Sequence, residues 1–155
     1  MGRRQHRRSR VDDRGAAMIE FIVIGVGVIV PLAYLAISAV TVQAAAFAST
    51  QAVREAGRAF STSTTAQEGR ARARVAAQLA FADQGIELPA NALRITCAEG
   101  ECLAPGSVVD VELDWSVPLP WLPGSLAADV PARIPIEATH RVPVDDYRSS
   151  PGAPS

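Results

Sequence analysis

The sequence predicts an α+β chain: a long apolar N-terminal helix able to span a membrane, a second short helix, and a small antiparallel sheet of about three strands. Three observations predict it. No charged residue occurs between Glu20 and Arg54, a stretch well beyond the ~20 residues that a bilayer-spanning helix needs. Apolar residues recur at helical spacing between Ala66 and Asp83. After Pro89 the period changes to alternation, the mark of half-buried strands.

Charge orients the first element. Residues 1–15 hold Arg3, Arg4, Arg7, Arg8, Arg10 and Arg14 against Asp12 and Asp13, whereas from Arg54 onward nine arginines face thirteen acids. A basic leader followed by an apolar span keeps the leader in the cytoplasm and sends the rest outward. Nucleic acid is not the expected partner, because the arginines have no aromatic or folded context and abut a membrane helix. The chain therefore divides into a cytoplasmic leader (1–15), a membrane and extended helix (16–60), an exported α+β domain (61–148) and a disordered Ser/Pro/Gly-rich tail (149–155).

The first helix reads from Ala16 to about Ala59, apolar all round through Ala48 and amphipathic after it. Gly25, Gly27 and Pro31 interrupt it, as membrane helices tolerate when neighbours satisfy the freed backbone groups. With Ala36, Ser38 and Ala39 these glycines either admit a second helix at close range or mark a plain, kinked anchor. Ser61–Thr65 is a polar break. Thr65 and Glu68 then have capping-box spacing and open a second helix that ends near Gly85, with Val75, Leu79, Ala76 and Ala82 as its apolar positions. Arg70, Arg72 and Arg74 spread around this helix as a solvated surface, with a phosphate or acidic partner as the alternative.

In the sheet, Leu93, Ile95 and Cys97 share one face of a short strand. Cys97 and Cys102, on the outer side of the membrane, read as a disulfide rather than a metal or catalytic site. Closing so short a loop contributes roughly 2 kcal/mol in the chain-entropy account. Val109, Val111, Leu113, Trp115 and Val117 alternate with Asp110, Glu112, Asp114 and Ser116 in the second strand. Pro118, Pro120 and Pro123 stop it, and Trp121 sits in that loop to pack on the sheet, meet the membrane interface or touch a partner. The last strand, Arg133 to Val144, carries Pro135 and Pro143 on its wet face, as an edge strand can.

Little here points to enzymatic chemistry. His6 lies in the leader, and His140 sits on an apolar strand face without a nucleophile or orienting acid in motif context, so it reads as a hydrogen-bonded core residue. Asp110, Glu112 and Asp114 lack the glycine turn of a calcium loop and read as a wet face pairing with Arg133 and Arg141. No enzyme activity, metal or cofactor is expected.

One motif remains. Asp13-Arg14-Gly15-Ala16-Ala17-Met18-Ile19-Glu20-Phe21, with the apolar helix behind it, resembles the TadE-like pilus assembly proteins, the pseudopilins of tight-adherence (Flp-type) pili. The later helix, cysteine hairpin and Val-Pro-Leu-Pro segment are similar to actinobacterial members. The resemblance implies a pilin-like fold and cleavage by a prepilin peptidase between Gly15 and Ala16, where glycine leaves a protease unobstructed. It implies that Glu20, beside Phe21, neutralises the terminal amine of a neighbouring subunit and so sets helix register; the plainer alternative is a carboxylate snorkelling to the headgroups. The implied partners are other pseudopilins, the major pilin, the inner-membrane assembly platform, the prepilin peptidase and the lipid bilayer. The implied location is the cytoplasmic membrane, single-pass, or the cell surface. Two rivals remain: a secreted protein cut after Ala44-Ala45-Ala46, although the apolar stretch far exceeds a signal h-region, and a membrane-tethered enzyme or metal-binding module built on His140 or the Asp110–Asp114 face, with 1–46 as its anchor.

Overall fold

The computed structural model describes residues 13–97, 100–119 and 133–147, the side chains of 13–16 excepted. The leader through residue 12, Glu99 of the cysteine turn, Trp121 with Pro120 and Pro123, and the tail 149–155 lie outside the described residues. The elements are α1 (Asp13–Ser61), α2 (Ala66–Ala82), β1 (Leu93–Cys97), β2 (Val108–Pro118) and β3 (Arg133–Pro143). The architecture is α+β, with an antiparallel sheet in the order β1-β2-β3. Helix α1 starts three residues earlier than the sequence suggested, so Gly15 and Ala16 fall within its first turn.

Two compact units divide the chain, Met1–Ser38 and Ala39–Ser155. In the first, the described residues are all α-helical, with Pro31 inside the helix. Proline lacks a backbone N–H, which leaves the Gly27 carbonyl without its usual donor. Gly25 and Gly27 face open space.

In the second unit, residues of α1, α2 and one sheet face form a single core. The α1 contribution is mostly small: Ala45, Ala48, Ser49, Ala52, Val53, Ala56 and Phe60 are buried. Small side chains let backbones approach, and two glycines mark the closest points. A Cβ on Gly57 would lie 2.5 Å from Cγ2 of Val142 on β3, and one on Gly69 would lie 2.9 Å from the Phe60 ring. Neither position has room for a methyl group.

Helix α2 turns a different face inward from the one its large residues suggested. Gly69, Ala73, Ala77, Ala80 and Phe81 are buried, while Val75 and Leu79 remain 63% and 65% exposed. The tight approach to Phe60 explains the inversion, since only glycine and alanine fit there. At its start, Thr65 Oγ1 accepts from the Glu68 N–H at 3.2 Å, as the capping spacing requires. The return arm lands one residue earlier than in the standard box. Glu68 Oε2 accepts from Thr64 Oγ1 at 2.6 Å and from the Thr64 N–H at 3.3 Å.

The strands follow the alternation read from sequence. Val109, Val111, Leu113, Trp115 and Val117 of β2 are buried, and β3 alternates half-buried with exposed residues throughout. Trp115 stacks edge-on against Phe81 with centroids 5.1 Å apart, and its indole N–H donates to Ser49 Oγ at 2.9 Å. The Ser49 hydroxyl in turn donates to the Ala45 carbonyl at 2.8 Å. A fully buried serine is thus satisfied in both directions, as buried polar groups must be.

Candidate functional site

The strongest candidate is the surface of α1 between Met18 and Phe47. Met18, Ile19, Phe21, Ile22, Val23, Ile24, Val26, Val28, Ile29, Val30, Leu32, Leu35, Ile37, Val40 and Phe47 are all exposed large hydrophobics. A soluble surface rarely carries a contiguous apolar patch beyond a few hundred Å². The helix passes the length and composition requirements for crossing a membrane, starting at Ala17.

Glu20 lies exposed on this stretch, and Phe21 beside it is 79% exposed. Its helical neighbours three and four residues away are Ala16, Ala17, Val23 and Ile24, so the helix supplies no counter-ion at the positions that could reach it. Gly15 and Ala16 sit one turn upstream, at a helix end where fraying is ordinary.

The remaining sequence candidates lie on the second unit. Cys97 and Cys102 form a disulfide with Cα atoms 5.2 Å apart, which closes the β1–β2 connection, and Ser107 Oγ donates to the Cys102 carbonyl at 3.0 Å. On the wet sheet face Arg141 pairs with Asp110, its Nε 2.7 Å from Oδ1, which raises the arginine pKa. Among the described residues Arg133 joins no acid; its Nε donates to Ser116 Oγ at 2.9 Å. Hydrogen bonds from Thr64 hold the Glu68 pKa below the usual glutamate value, with Arg72 a smaller contributor.

His140 is half-buried on the α1-facing side, its Cδ2 3.5 Å from where a Gly57 Cβ would stand. Among the described residues it makes no hydrogen bond, unlike the bonded core histidine expected. Nor do the described residues hold any group of three or more His, Cys, Asp and Glu suited to a metal ion. Asp110, Glu112 and Asp114 are spread along one strand face, with Asp114 directly opposite Glu137.

The functional features that sequence reading missed are the Ser49–Trp115 bond and the two glycine contacts. Their only sequence signal is the small-residue stripe in the second half of α1. No protein-family model matches the chain, and neither a curated protein nor a solved structure matches it.

Proposed function

We propose that this chain is a single-pass membrane protein that acts without enzymatic chemistry as a minor pseudopilin or assembly factor of a tight-adherence (Flp-type) pilus or related secretion system. One observation carries the reading. A single helix, α1, bears an uncovered apolar surface with one carboxylate near its start, and then small residues that seat it on a three-stranded sheet.

The chemistry runs from Glu20. In hydrocarbon an unpaired carboxylate is costly, while a paired one is far less so. Cleavage between Gly15 and Ala16 creates an α-amine, and a neighbouring subunit's Glu20 is a suitable acceptor for it. Helices packed out of register leave both charges alone, so the pair selects one register. Phe21 and the residues after it provide the lipid- and helix-facing surface. Other pseudopilins, the major pilin, the assembly platform and the prepilin peptidase are the partners this mechanism needs.

The secreted-protein rival fits less well. Ala45 is fully buried and Val42 packs on the core, so a cut before Phe47 removes side chains that the exported domain uses. The deciding experiment is N-terminal mass mapping of the protein from its native membrane. A start at Ala16 supports the pseudopilin mechanism. A start at Met1 or Gly2 leaves an assembly factor that does not polymerise, and a start near Phe47 overturns the proposal. Glu20→Ala should then block assembly while leaving insertion intact.

A further inference from the structure

Among the described residues, β1 and β3 form the two outer edges of the sheet, and these edges differ in a way that specifies what each can pair with. Asp114 N–H donates to the Ala92 carbonyl at 3.0 Å, so the even-numbered residues of β2 turn their peptide groups toward β1. Val144 N–H donates to the Ser107 carbonyl at 2.8 Å, one rung beyond the Val108–Pro143 pair. Odd-numbered residues of β2 therefore bond even-numbered residues of β3. Because alternate peptide groups point to opposite sides of a strand, the outward groups are those of Leu93, Ile95 and Cys97 on β1. On β3 they are those of the odd-numbered residues, Arg133 to Pro143.

Both prolines of β3, Pro135 and Pro143, fall on this outward register, so the edge offers donors only at Glu137, Thr139 and Arg141 between them. The β1 edge contains no proline and presents three outward donors and three outward acceptors. Both strands run antiparallel to β2 and hence in the same direction as each other.

We propose that β3 pairs in parallel with β1 of a second copy of this chain, Glu137 lying beside the partner's Arg94. In this register the N–H groups of Glu137, Thr139 and Arg141 donate to the carbonyls of the partner's Leu93, the partner's Ile95 and the partner's Cys97. The three outward N–H groups of β1 in turn donate to the carbonyls of Pro135, Glu137 and Thr139. Every outward group of β1 is used, and Pro135 is asked only to accept. A shift of two residues either way calls on the missing N–H of Pro135 or of Pro143. The prolines thus select the register rather than merely blocking the edge.

Charge selects the same alignment. Glu137 stands opposite Asp114, an unfavourable like-charge pairing, and among the described residues the ion pairs are Arg72–Glu68 and Arg141–Asp110. Glu137 therefore has no cation within the described chain. Arg94 is exposed, stands opposite Glu112 on β2 and takes part in neither pair. Bringing them together places a cation beside the two facing acids and sets the partner's Thr96 beside Thr139. On the core face the half-buried Leu93 and Ile95 come to lie along Ile136 and Ala138. The contact is head-to-tail, each copy offering β3 to one neighbour and β1 to another, so it extends beyond two copies, as a ring or an open array according to the rotation per copy. It does not rest on the pilus assignment, and its test needs no pilus machinery.

The test is disulfide trapping of the full chain in liposomes under mild oxidation. Adjacent parallel strands lie ~4.8 Å apart, within the Cα separation a disulfide spans, and both native cysteines are already paired. The double variant Thr96→Cys/Thr139→Cys should form a ladder of dimers, trimers and larger species, while each single variant stays monomeric. Arg94→Glu in that background should weaken laddering by roughly fivefold, the upper range for a cross-strand charge pair, and adding Glu137→Arg should restore it. Thr139→Pro, which removes an outward donor but none of β3's bonds to β2, should abolish association while tryptophan near-ultraviolet dichroism stays native. Dimers from Thr139→Cys alone would mean that β3 pairs antiparallel with itself and would overturn the proposal. So would a double variant that cross-links no more than the singles.

Discussion

The two halves of α1 obey opposite rules. From Met18 to Val40 the helix displays large branched and aromatic side chains and buries almost none of them; from Ala45 to Phe60 it displays charges and amides and buries mainly alanine, serine and glycine. The first half is shaped for an environment that supplies the apolar contacts. The second must bring its own partners close, and small residues do that. Hydrophobicity alone would rank the first half as core and the second as surface. What decides burial is whether a partner in the same chain fits, and among the described residues the small-residue half has one.

The sharpest way to separate the halves is to damage each alone. Phe81→Ala removes a fully buried ring stacked on Trp115 and should lower the unfolding free energy by about 3–5 kcal/mol. Denaturant titration of the detergent-solubilised chain reads this directly, and membrane extraction behaviour should not change. Ile29→Arg is the converse. It should cost about 2.5–3.5 kcal/mol in membrane insertion, seen as release by alkaline carbonate, with the denaturation midpoint of the sheet domain unmoved. Loss of both properties in either variant would collapse the distinction.

Smaller changes probe the seat of the helix on the sheet. Ser49→Ala strands the buried Trp115 N–H and should destabilise by about 1–3 kcal/mol; combining it with Trp115→Phe should cost less than the sum of the two, because the orphan donor is gone. Thr65→Ala removes the α2 cap and should cost about 1 kcal/mol by thermal melt. Glu68 gives the mildest effect, and one that depends on pH. Its folded-state pKa is lowered, so its stabilisation is fully present above the unfolded carboxylate value and fades as pH falls through the folded one. Glu68→Gln should flatten that part of the melting-temperature profile and leave neutral-pH behaviour of the apolar half untouched.

Much of this organisation was legible in the residues, for physical reasons that also mark where legibility stopped. Alternation of Val109 through Val117 with acids and Ser116 fixes which side of β2 is dry, because a strand has a period of two and little freedom to deviate. Thr65 and Glu68 announced a helix start through local hydrogen-bond chemistry. The buried face of α2 did not announce itself. Val75 and Leu79 carry the stronger hydrophobic signal, yet the steric limit at Gly69 against Phe60 gives the core to Ala73, Ala77 and Ala80. Ser49 and Trp115 lie 66 residues apart, and nothing local links them. For the candidate site, the apolar run and Glu20 were plain from sequence, whereas no residue three or four positions from Glu20 on its own helix carries a charge.

The alanine and glycine packing between α1, α2 and the sheet has a thermal consequence. Alanine and glycine have no side-chain rotamers to freeze on folding, and each exposes little hydrocarbon on unfolding. The heat-capacity increment of unfolding scales with exposed apolar area, so this core should give a smaller increment per residue than one filled with leucine and isoleucine. Its stability should then vary with temperature along a broad, shallow curve, holding the helix to the sheet across warm and cold conditions alike.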